Sequence, residues 1–443
     1  MASLLELSHE LLHCIFAEVD PGDLAALTRT CHDLNNYVRG NRLLHKDIYV
    51  RRYDEPRSDD VEPDWEKEVQ DLTKLERLMG SENKQAKLES LGFVAEQINH
   101  LVGTAHRDNA SSVNLDLLSQ FFLDTTNVDA FLCSSSLFDR AGNDDQRPAE
   151  TEELRQASAK LHSYSMGPFM DDGSQRIDWE KVEAVMVVLG FNLNRFTERS
   201  DGRWPRVWDK PFMGASPNSY SSLAPVSAPS DMEDDEDDGM SKIRELALSL
   251  DAQDPYAVSG TWMRVVCFLD YNDLYAFNFS NRITNDEERE PIDTEEGIID
   301  LEEILQVTKI EPPGSGDEGE DEEDDGMDWS NFRGERLPVV HFRGNSRSLH
   351  ASWDPNANSK IRGTVRQTPE GEVRWTTFSI FHGEERWRSE GIQVGGLRSA
   401  RGVLGNWFDK DFDIHGPAGP TAFWKVADEL DEEKQGSMPL HYF

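Results

Sequence analysis

Close to its start the chain carries His9-Glu10-Leu11-Leu12-His13, which satisfies the HExxH spacing. On a helix, His9 and His13 stand one turn apart and can both ligate zinc, with Glu10 as the base of a water-activating hydrolase. Such a site also needs a third ligand and a substrate cleft. The residue three past His13 is Phe16, so the extended GxxH form fails. His341, His350, His382 and His415 are scattered, and a lone histidine in a strand is ordinarily a surface or satisfied core residue. There is no GxSxG and no Walker loop. The glycine-rich stretch from Gly391 to Gly405 lacks a following helix, so its glycines serve bulges and barrel corners rather than a phosphate cradle. Cys14, Cys31, Cys133 and Cys267 form no CxxC pair, which argues against a disulfide framework and a thiolate zinc site. The expectation is a chain without catalytic residues, metal or cofactor.

Arginine gives the stronger chemical signal. The chain is acidic overall, with 45 basic and 85 acidic residues and a formal net charge of -40. From Arg336 to Ala427 the balance reverses, with 10 Arg and 3 Lys against 9 Asp and Glu. Arg362, Arg366, Arg374, Arg386, Arg388, Arg398 and Arg401 are interleaved with Trp375, Trp387 and Trp407. One reading is surface arginines over core tryptophans. The other is a pocket that grips an acidic or carboxylate-bearing peptide through Arg374, Arg386, Arg388, Arg398, Ser399 and Trp407. Strand parity puts Arg386, Arg388 and Glu390 on one face and Trp387, Ser389 and Gly391 on the other.

Two kinds of element must position these groups. At the N-terminus, Leu7, Leu11, Leu12, Ile15, Phe16 and Val19 form one face of a 3.6-period helix. Asp20 reads as an N-cap, with Pro21 at the first helical position and Asp23 in the first turn. A second stripe follows at Leu24, Leu27, Cys31, Leu34 and Val38, and Leu43-Leu44 opens a third short helix. About forty residues cannot bury such stripes alone, so this unit has to dock on something.

The order Leu7, Glu10-Leu11-Leu12, Ile15-Phe16, Asp23-Leu24, Leu27, Cys31 and Leu34 resembles an F-box. It departs from that family at Leu7-Ser8, where Leu-Pro is usual, and in lacking the aromatic after the cysteine. The resemblance implies docking on a Skp-type adaptor, and through it a cullin, by Leu7, Leu11, Leu12, Ile15, Phe16, Leu24, Leu27 and Leu34.

Residues 49 to 63 read as a linker or surface loop. From Asp64, helical spacing returns at Trp65, Val69, Leu72, Leu75 and Leu78-Met79, and Gly80 stops it. Helices are also expected at 88–102, 115–122, 152–164 and 178–189. Pro and Ser then lead into an acid run at 231–238, read as a disordered linker. After it the period changes to strands: GTWMRVVCFLD and LYAFNF around a turn at 270–273, then PVVHF, SLHASW, KIRGTVRQ, EVRWTTFSIF, RWRSEGIQV, ARGVLGNWF and TAFWKV. Turn signals stand at Thr368-Pro369-Glu370-Gly371, His382-Gly383-Glu384 and Val394-Gly395-Gly396. Many short strands at such spacing indicate an up-and-down barrel or a sandwich. The stretch Trp387 to Phe408, with Gly419-Pro420 and Phe423-Trp424-Lys425, is similar to the C-terminal β-barrel of certain F-box-only proteins.

The expected chain is α+β and multidomain: F-box helices at 1–50, an all-α region at 64–200, a linker at 201–250, an antiparallel barrel at 254–427 with an acidic insertion at about 311–330, and a tail at 428–443. Its expected role is substrate recognition in a cullin-based ubiquitin ligase, with the barrel holding a degron. The competing functions are a lipocalin-like barrel for a small apolar ligand and the zinc hydrolase. The charge disfavours nucleic acid and anionic membranes as partners. There is no apolar run of spanning length and no leader pattern, so the expected location is cytoplasm or nucleus.

Overall fold

The computed structural model describes residues 4–56, 62–106, 112–131, 167–199 without 171–173 and 175, 212–220 without 213, 250–313 without 270–271 and 273–296, and 329–428 without 330–331, 333, 352, 354–356 and 413–415. Packing divides the chain into two compact units, Met1–Ser134 with Pro211–Ser216, and Ser135–Lys210 with Pro217–Phe443.

The first unit is helical. Ser8 caps α1 (His9–Ala17), its Oγ accepting from the Leu11 N–H, so serine starts this helix without the usual proline. Asp20 caps α2 (Pro21–Leu27), accepting the Gly22 N–H at 2.8 Å. The second stripe is broken between Leu27 and His32, and α3 (His32–Val38) follows as a separate helix. The third helix, α4 (Arg42–Arg52), is longer than the sequence reading, because Ile48 and Tyr49 continue its buried stripe into the expected linker. Then come α5 (Trp65–Met79), α6 (Lys84–Glu89), α7 (Leu91–Thr104), α8 (Val113–Phe121) and α9 (Thr125–Phe131). One apolar core joins Leu12, Phe16, Leu24 and Leu34 to Leu44 and Tyr49 and to Trp65, Val69, Leu72 and Leu75. The N-terminal stripes therefore dock first on α4 and α5, which supply the apolar area that forty residues lack.

The second unit is built on a closed antiparallel barrel of eight strands in sequence order: β1 (Gly260–Phe268), β2 (Gly297–Glu311), β3 (Val339–Ser348), β4 (Ser359–Gln367), β5 (Val373–Phe381), β6 (Glu384–Gln393), β7 (Val403–Asp409) and β8 (Gly419–Ala427). Closure pairs β1 with β8 and leaves no free edge. At the β5–β6 turn His382 and Gly383 both have positive φ, the requirement of a two-residue hairpin whose twist matches its strands.

Three expectations are corrected. The partner of β1 is β2, not the 274–279 run, which lies outside the described residues. Strand β2 escapes sequence reading because it buries carboxylates on both faces: Glu303 inside the lumen, Asp300 and Glu311 on the outer side. Lastly, α10 (Trp179–Arg199), placed by sequence in the all-α region, packs on the barrel: Ala184, Val185, Val188 and Leu189 meet Met263, Val265, Leu404, Ala422 and Trp424. Its apolar stripe covers the outward apolar positions of β1, β7 and β8. The expected helix at 152–164, the acid runs and the tail from 429 on lie outside the described residues.

Candidate functional site

Helix α1 shows two kinds of apolar side chain. Leu12 and Phe16 point into the unit's own core, as do Leu24 and Leu34, while Leu7 and Leu27 pack partly against it. Leu11 and Ile15, one turn apart, remain 53% and 40% exposed, and Leu4 is exposed just before them. The eight residues read as an adaptor face therefore split into scaffold and surface, and Leu11 with Ile15 forms the uncovered part. The HExxH residues are occupied otherwise. His13 Nε2 lies 2.7 Å from Asp47 Oδ2, and the His9 ring stacks on Tyr37 at 5.7 Å. Among the described residues no group of three or more His, Cys, Asp or Glu is placed to hold a metal.

Inside the barrel, one half of the lumen is packed with rings. Trp262 and Trp375 meet edge to face at 5.0 Å, and Phe423 stands 5.4 Å from Trp375. Tyr256 and Val258, from the segment leading into β1, pack into the same cluster and close that end. Trp262 Nε1–H donates to the Val258 carbonyl, and the Asp254 carboxylate accepts the Tyr256 and Val258 N–H groups. Among the described residues this half of the lumen is filled by side chains, where a small-ligand barrel keeps an apolar cavity.

A polar layer follows. Arg264 reaches from β1 across the lumen, donating to Glu303 Oε1 at 3.2 Å, Thr377 at 3.3 Å, Ser389 at 2.7 Å and Thr421 at 3.1 Å. Burial holds the Glu303 carboxyl above its ordinary range, against the opposing pull of Arg264. Beyond this layer the lumen opens among the described residues. The inward positions there are Phe268, Leu301, Trp387 and Trp407, all half-buried, and the two tryptophans meet edge to face at 5.2 Å. Around this end run the β3–β4, β5–β6 and β7–β8 connections, while most of the β1–β2 connection lies outside the described residues. Ile299, Leu349, Trp353 and Phe412 are exposed at this end.

The six residues read as one substrate pocket are not brought together. Arg374 is buried on the outer wall under Phe169, its Nε 2.9 Å from Glu390 Oε2, and Arg388 holds the other oxygen of that carboxylate at 2.6 Å. Burial raises the Glu390 carboxyl, but the two arginines outweigh it and hold the group below its ordinary value. Arg398 lies at the closed end, donating to the carbonyls of Asp254 and Pro255 at 2.9 and 2.7 Å. Ser399 beside it donates to the Val394 carbonyl. Trp407 sits inside the open end, with Nε1–H on the Cys267 carbonyl at 2.8 Å. Arg386 is exposed on the outer wall, over the Trp387 ring. Three of the four arginines thus have structural partners, which composition does not reveal. The missed residues are Arg264 and the apolar rim, and their signal was a charged residue within the otherwise apolar run of β1.

No curated protein and no solved structure matches the chain. A family model does: the F-box domain, over residues 4–46. That match spans α1 to α3 and the start of α4, including the uncovered Leu11 and Ile15. F-box domains bind Skp-type adaptors of ubiquitin ligases, and the chain carries such a domain at residues 4–46.

Proposed function

We propose that this protein is the non-catalytic substrate receptor of a cullin-based ubiquitin ligase, working in the cytoplasm or nucleus. Leu11 and Ile15 lead the face that docks on the adaptor, and the open end of the barrel takes hold of the protein substrate. Ubiquitin transfer then gains from effective concentration and not from chemistry in this chain. The observation that carries the second half is where the apolar surface lies. Of the seven exposed large apolar residues described in the barrel unit, four (Ile299, Leu349, Trp353 and Phe412) surround one end of the lumen. An apolar rim above a polar floor is the anatomy of a peptide-binding mouth, with the aromatic residues as anchors.

The test is a paired capture experiment on the full chain with adaptor and cullin bound. Proteins retained by the parent are compared with those retained by Ile299→Asp with Trp353→Asp. Both side chains are exposed, so the barrel stays folded. The reading requires that the variant lose a defined set of proteins, and their ubiquitination, while adaptor binding is unchanged. The same set in both samples removes the mouth as the substrate site.

A further inference from the structure

The outer wall of the barrel carries a second feature. Strands β3, β4 and β5 contain no carboxylate, and β6 contains Glu384, Glu385 and Glu390. The same four strands hold eight cations, Arg343, Arg347, Lys360, Arg362, Arg366, Arg374, Arg386 and Arg388, in a chain of net charge -40. The register places some of them side by side. One transverse row reads Arg343, Arg362, Phe378, Arg388 and Phe408. Arg343 stands directly opposite Arg362, and Arg366 directly opposite Arg374, two like-charge pairs that cost stability in a sheet.

The carboxylates are already committed. Glu385 takes both Arg362 nitrogens, and Glu390 takes Arg374 and Arg388. Arg343 and Lys360, exposed on neighbouring strands, form no ion pair among the described residues, and exposed Arg386 has only a ring beneath it. Between them lie Phe378 and Ile380, half-buried, with the Arg362 guanidinium 4.1 Å over the Phe378 ring. The start of α10 and Phe169 cover this wall at Ile392 and Arg374, and among the described residues they leave the part around Arg343, Lys360 and Phe378 uncovered.

We propose that the outer wall of β3 to β6 is a docking surface for an acidic, extended segment of a protein partner, with Arg343, Lys360 and Arg386 taking its carboxylates and Phe378 with Ile380 an interleaved apolar side chain. It is separate from the mouth, and it deepens the receptor reading by giving the captured protein a chemical class. Arg362 is already neutralised by Glu385, so the charge a bound carboxylate would compensate is that of Arg343 across the strand pair, with Lys360 beside it. A peptide is favoured over nucleic acid because the wall has an apolar centre at Phe378 and Ile380, which suits an interleaved apolar side chain. A short peptide feels mainly the charges within about 10 Å.

The experiment is fluorescence anisotropy with a labelled peptide of eight glutamates and one central leucine, on the full chain without adaptor. Binding should weaken at least fivefold from 50 to 300 mM salt. Arg343→Glu with Lys360→Glu should weaken it at least tenfold, with the melting temperature unchanged or raised, and Arg343→Gln with Lys360→Gln should fall between. Ile299→Asp with Trp353→Asp should bind the probe as the parent does. The proposal is overturned if the double reversal binds normally, if a ten-base single-stranded DNA binds more tightly than the peptide, or if neither the full chain nor a chain lacking Gly316 to Asp325 binds the probe. Loss in the mouth variant alone would also overturn it. Failure of the mouth reading shows instead in the ubiquitination experiment and leaves this one unaffected.

Discussion

Replacing Leu11 and Ile15 together should separate adaptor docking from folding. Burying a whole Leu or Ile side chain contributes about 1.5–3 kcal/mol. Leu11 and Ile15 are 53% and 40% exposed, so roughly half of that, about 1 kcal/mol each, remains for the adaptor to gain. Leu11→Ala with Ile15→Ala should then weaken adaptor binding by about 2 kcal/mol, close to thirtyfold. Aspartates at both positions add the desolvation of two carboxylates, at least about 2 kcal/mol apiece if they find no partner, and should abolish binding at micromolar concentrations. Neither pair touches the unit's core. Phe16→Asp is a different experiment. Phe16 is 1% exposed and packed with Leu12, Leu24 and Tyr37, and even Phe16→Ala should cost about 3–5 kcal/mol of stability. The assay is calorimetric titration of the purified adaptor into each variant, with a circular dichroism melt of each. If the Leu11 and Ile15 alanine pair binds within twofold of the parent at unchanged melting temperature, the docking face lies elsewhere on the F-box.

Glu390→Ala strands Arg374 and Arg388 and should destabilise the barrel by about 3–5 kcal/mol in a denaturant titration. Because the folded-state pKa of Glu390 is depressed, its contribution is present above the ordinary glutamate range and is lost as pH falls below it. The gap between parent and Glu390→Gln melting temperatures should therefore be full at pH 7 and narrow towards pH 3. A gap that does not change with pH would assign the effect to packing. Gly405→Ala would drive a β-carbon into the Glu390 carbonyl across the β6–β7 pair and should cost about 1–3 kcal/mol, read from the barrel's thermal transition. Arg398→Glu breaks two bonds to carbonyls at the closed end, so it should lower the melting temperature without changing adaptor affinity.

Local rules carry a long way in this chain. The stripes of α1 and α5, the cap Asp20, and the Thr368 and His382 turns depend on neighbours within a few residues, so spacing alone exposes them. The same holds for the alternation of β4, β5 and β7, whose inward residues are mostly apolar. Strand β2 was not legible, because Asp300 on its outer face and Glu303 on its inner face are buried against His350 and Arg264, partners 50 and 39 residues away. A buried carboxylate looks like a solvated one until its cation is placed beside it.

The sequence by itself determined amphipathic helices that resemble an F-box and, after them, a series of short strands, because periodicity, capping and turn chemistry are short-range. Only the tertiary structure decided which apolar and cationic side chains are free. Burial of Phe16, Leu24 and Leu34 by α4 and α5 leaves Leu11 and Ile15 as surface. Closure of eight strands commits Arg264 to the lumen, Arg374 and Arg388 to Glu390 and Arg398 to backbone carbonyls. It leaves Arg343, Lys360 and Arg386 facing solvent on one wall. Whether a charge is spent inside the fold depends on what lies a hydrogen bond away in space, and no spacing along the chain reports that distance.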